Sequence, residues 1–560
     1  MPNVVDIVKQ PFSKWITEPS RPPSASGPGG TLVASISGVA PPRMESDVLA
    51  NKLKNHLCSL FKPSLPDTRS LHTLFEFQQS RIEAAVQAFV GLKEDPGVLL
   101  DLSRQLQDSR FKGDRAATKA ELRAARHLEK DLIGLIANRL RELGMASKDA
   151  MREAKTAFHN ADTEVLNARA WNTVKTDFEY KEKHYACTMV PAAQMKLGKE
   201  DIFPVPYREQ GVCSSSTREI AHVPNLWTSE IRASGPGGAD KILFKGVRHG
   251  ILSPFGLEKG SVARHEGSLN RAREVVTAAL FAQPELLESA LDGARVPLRL
   301  VSTSLVTGGK WREGDILDDQ VRAWRELCLE RPVVLSLKGP DGELREVKID
   351  LEVAAFNFGV NELSLKLKLG QAQSDAYNVT ALHQLLGNNL SVSAEPEGWV
   401  KDYLERTPAP ENKQLVLDLS RRLKQIWAAK AHNHDGGDPY KGALCVMLLA
   451  NAIDVTPCSN CKSGKDRTGM LDAELKRAVV TLHEGKGLGA LGGRLAEDEQ
   501  LLLQQTLLHG GNEEVQRKNT GAPGNKVMRT PPLVTLSSFE RVGNQHVCDQ
   551  TQGLSQMVEA

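Results

Sequence analysis

No stretch of this 560-residue chain is long and apolar enough to cross a bilayer. The best candidate, residues 442 to 453, lies between Lys441 and Asp454 and falls well short of the roughly 20 residues a membrane helix needs. The N-terminus has no apolar h-region, which argues against Sec-type export. There is no disulfide framework. The eight cysteines, at 58, 187, 213, 328, 445, 458, 461 and 548, are scattered, as expected where the protein acts in a reducing compartment. Charge of one sign is also lacking. A net charge of +2 gives no argument for nucleic acid, so attraction to an anionic surface has to come from local patches. No internal repeat is visible. What is there, 25% charged and 40% hydrophobic residues, is ordinary for a soluble protein. At this length two or three domains are expected rather than one core.

One stretch stands out, Asn460-Cys461-Lys462-Ser463-Gly464-Lys465-Asp466-Arg467-Thr468-Gly469. It is a C-x5-R pattern. A loop of that length can curl until its backbone N–H groups meet at one centre, at the positive end of a following helix, and hold a phosphate there. Arg467 would close the ring with a planar fork. The same field lowers the thiol pKa of Cys461 and makes it a thiolate, placed to attack phosphorus. Ser463 and Gly464 are small and admit a ligand; Thr468 can donate to the sulfur. Lys462 and Lys465 add more positive charge than one phosphate needs, which points to a substrate with several. Asp466 has two open readings: a general acid for the leaving oxygen, or an orienter that accepts from loop amides.

The flanks fit. Residues 440 to 454 read as an apolar helix, and Val455, Thr456 and Pro457 as a short extended lead-in. Leu471, Leu475, Ala478, Val479 and Leu482 share one helical face, and Gly485 suits the helix end. Competing patterns are weaker. Arg248-His249-Gly250 echoes the histidine phosphatases but lacks their further elements. Cys458 and Cys461 form a lone C-x2-C whose neighbouring cations would repel zinc; a protective disulfide between them is a separate expectation. His432, His434, Asp435 and Asp438 sit among glycines and read as a loop, with Asp435 or Asp438 a reserve acid. Gly487, Gly489 and Gly492 follow a helix where a dinucleotide site needs a strand. Lys526 and Arg529 are candidates for binding a further phosphate or the bilayer. No metal or cofactor is expected.

Along the chain, residues 1–45 carry Pro, Ser and Gly clusters and read as disordered. Residues 70–175 read as helical. Thr118 and Glu121 make a capping box, Gly144 ends that helix, and Ser147 is expected to cap the next, giving an antiparallel pair in a small bundle. From about 180 the texture is mixed. Strands are expected at 241–247, 298–306, 333–338 and 344–351, the last two joined by a turn. Helices are expected at 270–291, interrupted at Pro284, and at 415–430. The predicted fold class is multidomain: an N-terminal helical bundle, then a mixed α/β cysteine-phosphatase domain with the C-x5-R loop.

The residues from Cys461 to Thr468 resemble the active-site loop of the inositol polyphosphate 4-phosphatases, and most of all the SopB/SigD and IpgD group of type III secreted effectors. Residues 356–365, with Phe356, Asn357, Phe358, Gly359 and Asn361, are similar to a second motif those proteins share. Residues 246–254, 381–388 and 524–528 also look like segments of that group. The resemblance runs from about residue 65 to near the C-terminus. It implies three regions: 1–60, a secretion and chaperone-binding segment; 65–178, a helical domain that binds a host Rho-family GTPase; and 180–560, the phosphatase domain. It implies phosphoinositides and inositol polyphosphates as substrates, hydrolysis or phosphotransfer, and action in the host cytoplasm with peripheral contact to host membrane. The alternative reading is an effector whose main activity is non-catalytic GTPase binding.

Overall fold

The computed structural model describes residues 68–557, apart from 109–114, 219–221, 236–239, 310–312, 488, 490–493 and 529–536. The expected secretion segment, Arg529 and most of the glycine-rich run after 485 therefore lie outside the described residues.

Four helices open the described chain: α1 Leu71–Gly91, α2 Gly97–Asp108, α3 Lys119–Glu142 and α4 Ser147–Asn167. At the start of α3, Thr118 accepts from the Glu121 N–H while the Glu121 carboxylate accepts from the Thr118 N–H, the reciprocal box its sequence spells. The expected Ser147 cap is corrected. Ala146, in extended backbone, holds the N-cap position and makes no side-chain cap, which leaves Ser147 as the first helical residue. The apolar stripe of α3 (Leu128, Leu132, Ile136, Leu140) packs with Ala154, Phe158 and Val165 of α4. The helices are also tied to the end of the chain: Leu71, Leu74, Phe77 and Ala125 share a cluster with Ala522, Leu554 and Met557.

The rest is built on an eight-stranded sheet. Its strands are β1 Val174–Tyr180, β2 Lys183–Pro191, β3 Trp227–Ser234, β4 Asp240–His249, β5 Arg295–Ser304, β6 Val333–Lys338, β7 Leu344–Asn357 and β8 Thr456–Asn460. In space the order is β1-β2-β3-β4-β8-β5-β7-β6. Residues 174–178, placed with the helical region by sequence, thus belong to the first strand. β1 is an edge strand with most of its side chains outside the core, so its alternation is faint. The pairs β4–β8, β8–β5 and β5–β7 are parallel and the remaining pairs antiparallel.

Helices cover both faces. Leu298 and Leu300 point into one core with α5 Val262–Phe281 and α6 Gly314–Leu329. Val301, Ala354 and Phe356 point into the other. That second core also takes α7 Gln371–Leu386, α8 Lys413–Ala428, α9 Lys441–Ala452, α10 Asp466–His483 and α11 Glu497–His509. β8 comes last in sequence yet lies in the middle of the sheet, and all five of its residues are buried. Strand ends on either side of such an inserted central strand leave a crevice outside their carboxyl ends, where ligands of open α/β sheets bind.

Candidate active site

The register puts four strand ends in one row. Asn460 lies opposite His249 on one side and Ser304 on the other, and Ser304 lies opposite Asn357. The stretches singled out by sequence, 246–254, 356–365 and 460–469, thus meet at one end of neighbouring strands. The row is bonded together. The Leu305 N–H donates to the Asn460 carbonyl at 2.7 Å and the Phe358 N–H to Ser304 at 2.8 Å. Asn460 and Gln320 of α6 exchange amide hydrogen bonds at 2.9 and 3.0 Å.

Beyond Asn460 the chain turns into the loop, and α10 begins at Asp466. The loop carbonyls face outward. Lys462 accepts from the Ile251 N–H at 3.1 Å. Ser463 accepts from the Ser214 hydroxyl at 3.0 Å and the Asn225 amide at 3.2 Å. Gly464 and Lys465 accept from the Arg248 guanidinium at 3.1 and 3.4 Å. Because a peptide's N–H points away from its C=O, the amides that follow these carbonyls turn toward the loop's centre. Among the described residues, those of Ser463 to Arg467 find no protein acceptor. Gly464 has φ +70°, and a Cβ there would lie 2.6 Å from the Gly250 nitrogen. Only glycine fits this close pass between loop and β4.

Cys461 is 1% exposed. Burial alone would raise its thiol pKa. The Arg467 charge and the hydroxyl and backbone N–H of Thr468 reverse that and hold it below its ordinary value. The Thr468 hydroxyl has no oxygen or nitrogen partner. The other buried thiols go the opposite way: burial pushes Cys445 and Cys458 up to about 12.

Arg467 is held by a residue that sequence reasoning did not find. Its Nη1 and Nη2 donate to the two carboxylate oxygens of Glu313, each at 2.9 Å, and Nη1 also donates to the Leu305 carbonyl at 2.9 Å. Glu313 in turn accepts from the Thr307 N–H at 2.9 Å. Although burial works against ionisation, Arg467 keeps Glu313 below the usual carboxylate range. Two more residues complete the surroundings. Arg248, buried beneath the loop, also donates to Asn512 at 2.5 Å and lies 3.7 Å from Asp472. Tyr440 is buried with an unpartnered hydroxyl in the field of Arg467 and Cys461.

The charged loop residues divide. Lys465 donates to Asp466 at 2.5 Å, and the other Asp466 oxygen accepts from the Lys526 N–H at 2.9 Å. Burial would raise the Asp466 pKa, but Lys465 and that N–H bring it below its ordinary value. Lys462 is half-buried, with its ammonium 4.2 Å from the centre of the Phe255 ring; desolvation lowers its pKa against the pull of Glu313. Lys526 sits beside the loop through its backbone.

Other sequence candidates have different places. Burial holds His249 neutral, with its pKa lowered to about 4, and its Nδ1 lies 2.6 Å from the Gly250 carbonyl, so it packs as a core histidine. Cys458 belongs to the core on one face of the sheet and Cys461 to the core on the other. Three positions along an extended chain invert the side chain, which corrects the expectation of a disulfide between them. The loop of His434, Asp435 and Asp438 wraps the Lys441 ammonium, which donates to their carbonyls at 2.5 to 2.7 Å. His432 pairs with Asp375 at 2.8 Å. Asp438 is buried and its pKa is raised by that burial.

The profile of a family described as enterobacterial virulence protein IpgD matches residues 39–558. The chain belongs to this family. It is 45% identical over 495 residues to the inositol phosphate phosphatase SopB of Salmonella typhimurium, covering 87% of each chain. It is 39% identical over 440 residues to the inositol phosphate phosphatase IpgD of Shigella flexneri, covering 77% of this chain and 80% of that one. Two solved structures share the fold. One is a Legionella phosphoinositide phosphatase described for its substrate recognition, with a TM-score of 0.56 at 10% identity over 88% of this chain and 91% of that one. The other is the Legionella phosphoinositide phosphatase SidF, with a TM-score of 0.53 at 10% identity over 87% and 91%.

Proposed function

We propose that this chain removes phosphate from inositol polyphosphates and phosphoinositides through a cysteinyl-phosphate. One observation carries the reading: the carbonyls of Lys462 to Asp466 are bonded on the outside, which turns the amides between them inward, beside a thiol whose pKa is depressed. Of the five N–H bonds of Arg467, Glu313 and Leu305 take three. The two left, on Nε and Nη2, lie side by side, a fork for two phosphate oxygens. The Cys461 thiolate attacks phosphorus as the bond to the inositol oxygen breaks, while the Ser463, Gly464 and neighbouring amides and Arg467 stabilise the equatorial oxygens. Water then attacks the phosphocysteine, releasing phosphate and restoring the thiolate; an inositol hydroxyl as acceptor instead gives phosphotransfer.

Lys462, whose ammonium meets no carboxylate within ion-pair distance among the described residues, reads a neighbouring phosphate. Lys465 acts through Asp466. Asp466, bonded through both oxygens, orients the loop in this reading and leaves the leaving oxygen to draw its proton from elsewhere. Lys526 adds charge at the rim. Trapping of phosphate from labelled substrate on Cys461, and its absence in Cys461→Ser, tests the assignment.

A second reading coexists with the first: the four helices dock a host Rho-family GTPase. Its support is the exposed apolar group at the α3–α4 turn, Leu143, Met145 and Met151, 56%, 37% and 39% exposed, of a kind that marks partner surfaces. Delivery by type III secretion with a chaperone, and action on host membranes, complete the proposal by family membership.

A further inference from the structure

The second motif runs from the strand end at Asn357 into a short helix, Glu362–Lys366, and a turn. The turn is closed by its own backbone: the Lys368 N–H donates to Leu365 at 3.1 Å and the Leu369 N–H to Ser364 at 3.0 Å. It is pinned by Gly370, where a Cβ would lie 2.2 Å from the Gly308 oxygen. Gly308 directly follows Thr307 and lies three residues after Leu305, the residues whose backbone bonds Glu313 and Arg467. The turn is thus a fixed part of the site's mouth, yet Leu367 is 58% and Leu369 40% exposed. Lys366 and Lys368, both exposed, form no ion pair among the described residues. Phe255, whose ring carries Lys462 of the loop, is followed two residues on by Leu257 at 36% exposure. Phe255 and Tyr377 of α7 pack on one small cluster.

A soluble inositol polyphosphate has no use for exposed leucines. Apolar side chains alternating with unpaired lysines do fit an anionic bilayer: leucines enter the acyl boundary and lysines meet the headgroups. We propose that the 366–369 turn, with Phe255 and Leu257, is the surface that seats this enzyme on an anionic bilayer, with the loop of Cys461 facing the headgroups. The proposal rests on the phosphatase reading and deepens it by making membrane lipid the substrate that this surface selects.

The test uses the full chain with two substrates: a phosphoinositide in phosphatidylcholine–phosphatidylserine vesicles, and a soluble inositol polyphosphate. Leu367→Asp combined with Leu369→Asp should lower vesicle turnover by about tenfold or more and leave soluble turnover unchanged, which also shows that the variant folds. Lys366→Glu and Lys368→Glu should each cost about fivefold on vesicles at low salt, less at high salt. Leu344→Asp, at the opposite end of the sheet, should change neither. In a Cys461→Ser background, vesicle sedimentation should fall with the leucine pair. Equal losses on both substrates, or none on vesicles, overturns the proposal. If the unaltered chain turned over neither substrate, the phosphatase reading would fall; sedimentation would still decide the surface, supporting it if the leucine pair lowers binding and overturning it if not.

Discussion

Glu313 holds Arg467 by the end of its guanidinium and leaves the side free. The carboxylate comes from just before α6, more than 150 residues earlier in the chain, and is itself fixed by the Thr307 N–H. Such a clamp fixes the plane in which the remaining two donors lie. Loss of it leaves the charge but frees the geometry, and a misplacement of about 1 Å can cost about a hundredfold. Glu313→Gln should therefore lower kcat by ten- to a hundredfold, with the protein still folded. Arg467→Ala should lower it by about 10²–10³-fold, as removal of a transition-state donor does. Steady-state kinetics on one soluble substrate compares them; a Glu313→Gln enzyme with full kcat would remove the clamp from the mechanism.

With Cys461 as the proposed nucleophile, its thiol should set the acid side of the pH profile. Its pKa is depressed, so the nucleophile is present above that value and is lost as pH falls through it. kcat/KM should rise with pH and level off below the ordinary thiol range. Thr468→Ala removes a donor to the thiolate and should move that limb to higher pH; a rise of about one pH unit in its midpoint costs about tenfold in thiolate on the acid side. Ultraviolet absorbance of the thiolate, as the difference between the unaltered chain and Cys461→Ser, checks it without turnover. The subtraction is clean because the other buried thiols, such as Cys445 and Cys458, are pushed up to about 12.

Much of this site was legible in the sequence. The loop, the strand before it and the helix after it announce themselves locally, through small residues, an apolar run and a 3.6-residue period. The strands at 240–249, 333–338 and 344–357 alternate or run apolar in the way buried strands do. The sheet order was not legible, because nothing local says that the last strand inserts between β4 and β5. Glu313 was hidden for the same reason: a carboxylate before a helix looks like any other until the fold brings Arg467 to it. Tyr440 was read as the start of an apolar helix, which it is; only its unpartnered hydroxyl beside Cys461 marks it. The edge strand β1 escaped because it is mostly outside the core.

The cysteine pair separates two ideas about oxidation. Cys458 faces the opposite core from Cys461, so it cannot serve as a resolving thiol without unravelling β8. Cys458→Ser should leave unchanged both the rate of inactivation by mild peroxide and the fraction recovered with a reductant. A variant that became irreversibly inactivated would show that the strand end opens far enough for the two sulfurs to meet.

The helical region should bind independently of catalysis. With the full chain, Cys461→Ser should retain capture of a purified Rho-family GTPase. Leu143→Asp with Met145→Asp should reduce it by about tenfold or more, since apolar anchors at the centre of an interface carry about 2 kcal/mol or more. Phosphatase turnover should be untouched, because these residues lie at the far turn of α3 and α4. Unchanged capture in the double variant would move the interface elsewhere on the helices.

Asp466 is where the chemistry and the geometry pull apart, and leaving-group dependence decides between them. A general acid matters most when the leaving oxygen is basic, as an inositol alkoxide is, and little when it is an aryl oxide. An orienter matters equally for both, because it shapes the loop around the phosphoryl group. In the structure the carboxylate, its pKa lowered by Lys465 against the effect of burial, is bonded to Lys465 at 2.5 Å and to the Lys526 N–H at 2.9 Å. Asp466→Asn keeps an acceptor for that N–H but loses the charge that holds Lys465. It should lower turnover of an inositol phosphate and of para-nitrophenyl phosphate by a similar factor, about ten- to a hundredfold. A loss confined to the inositol substrate would return the proton to Asp466, and would require Lys465 to let go of it when substrate binds.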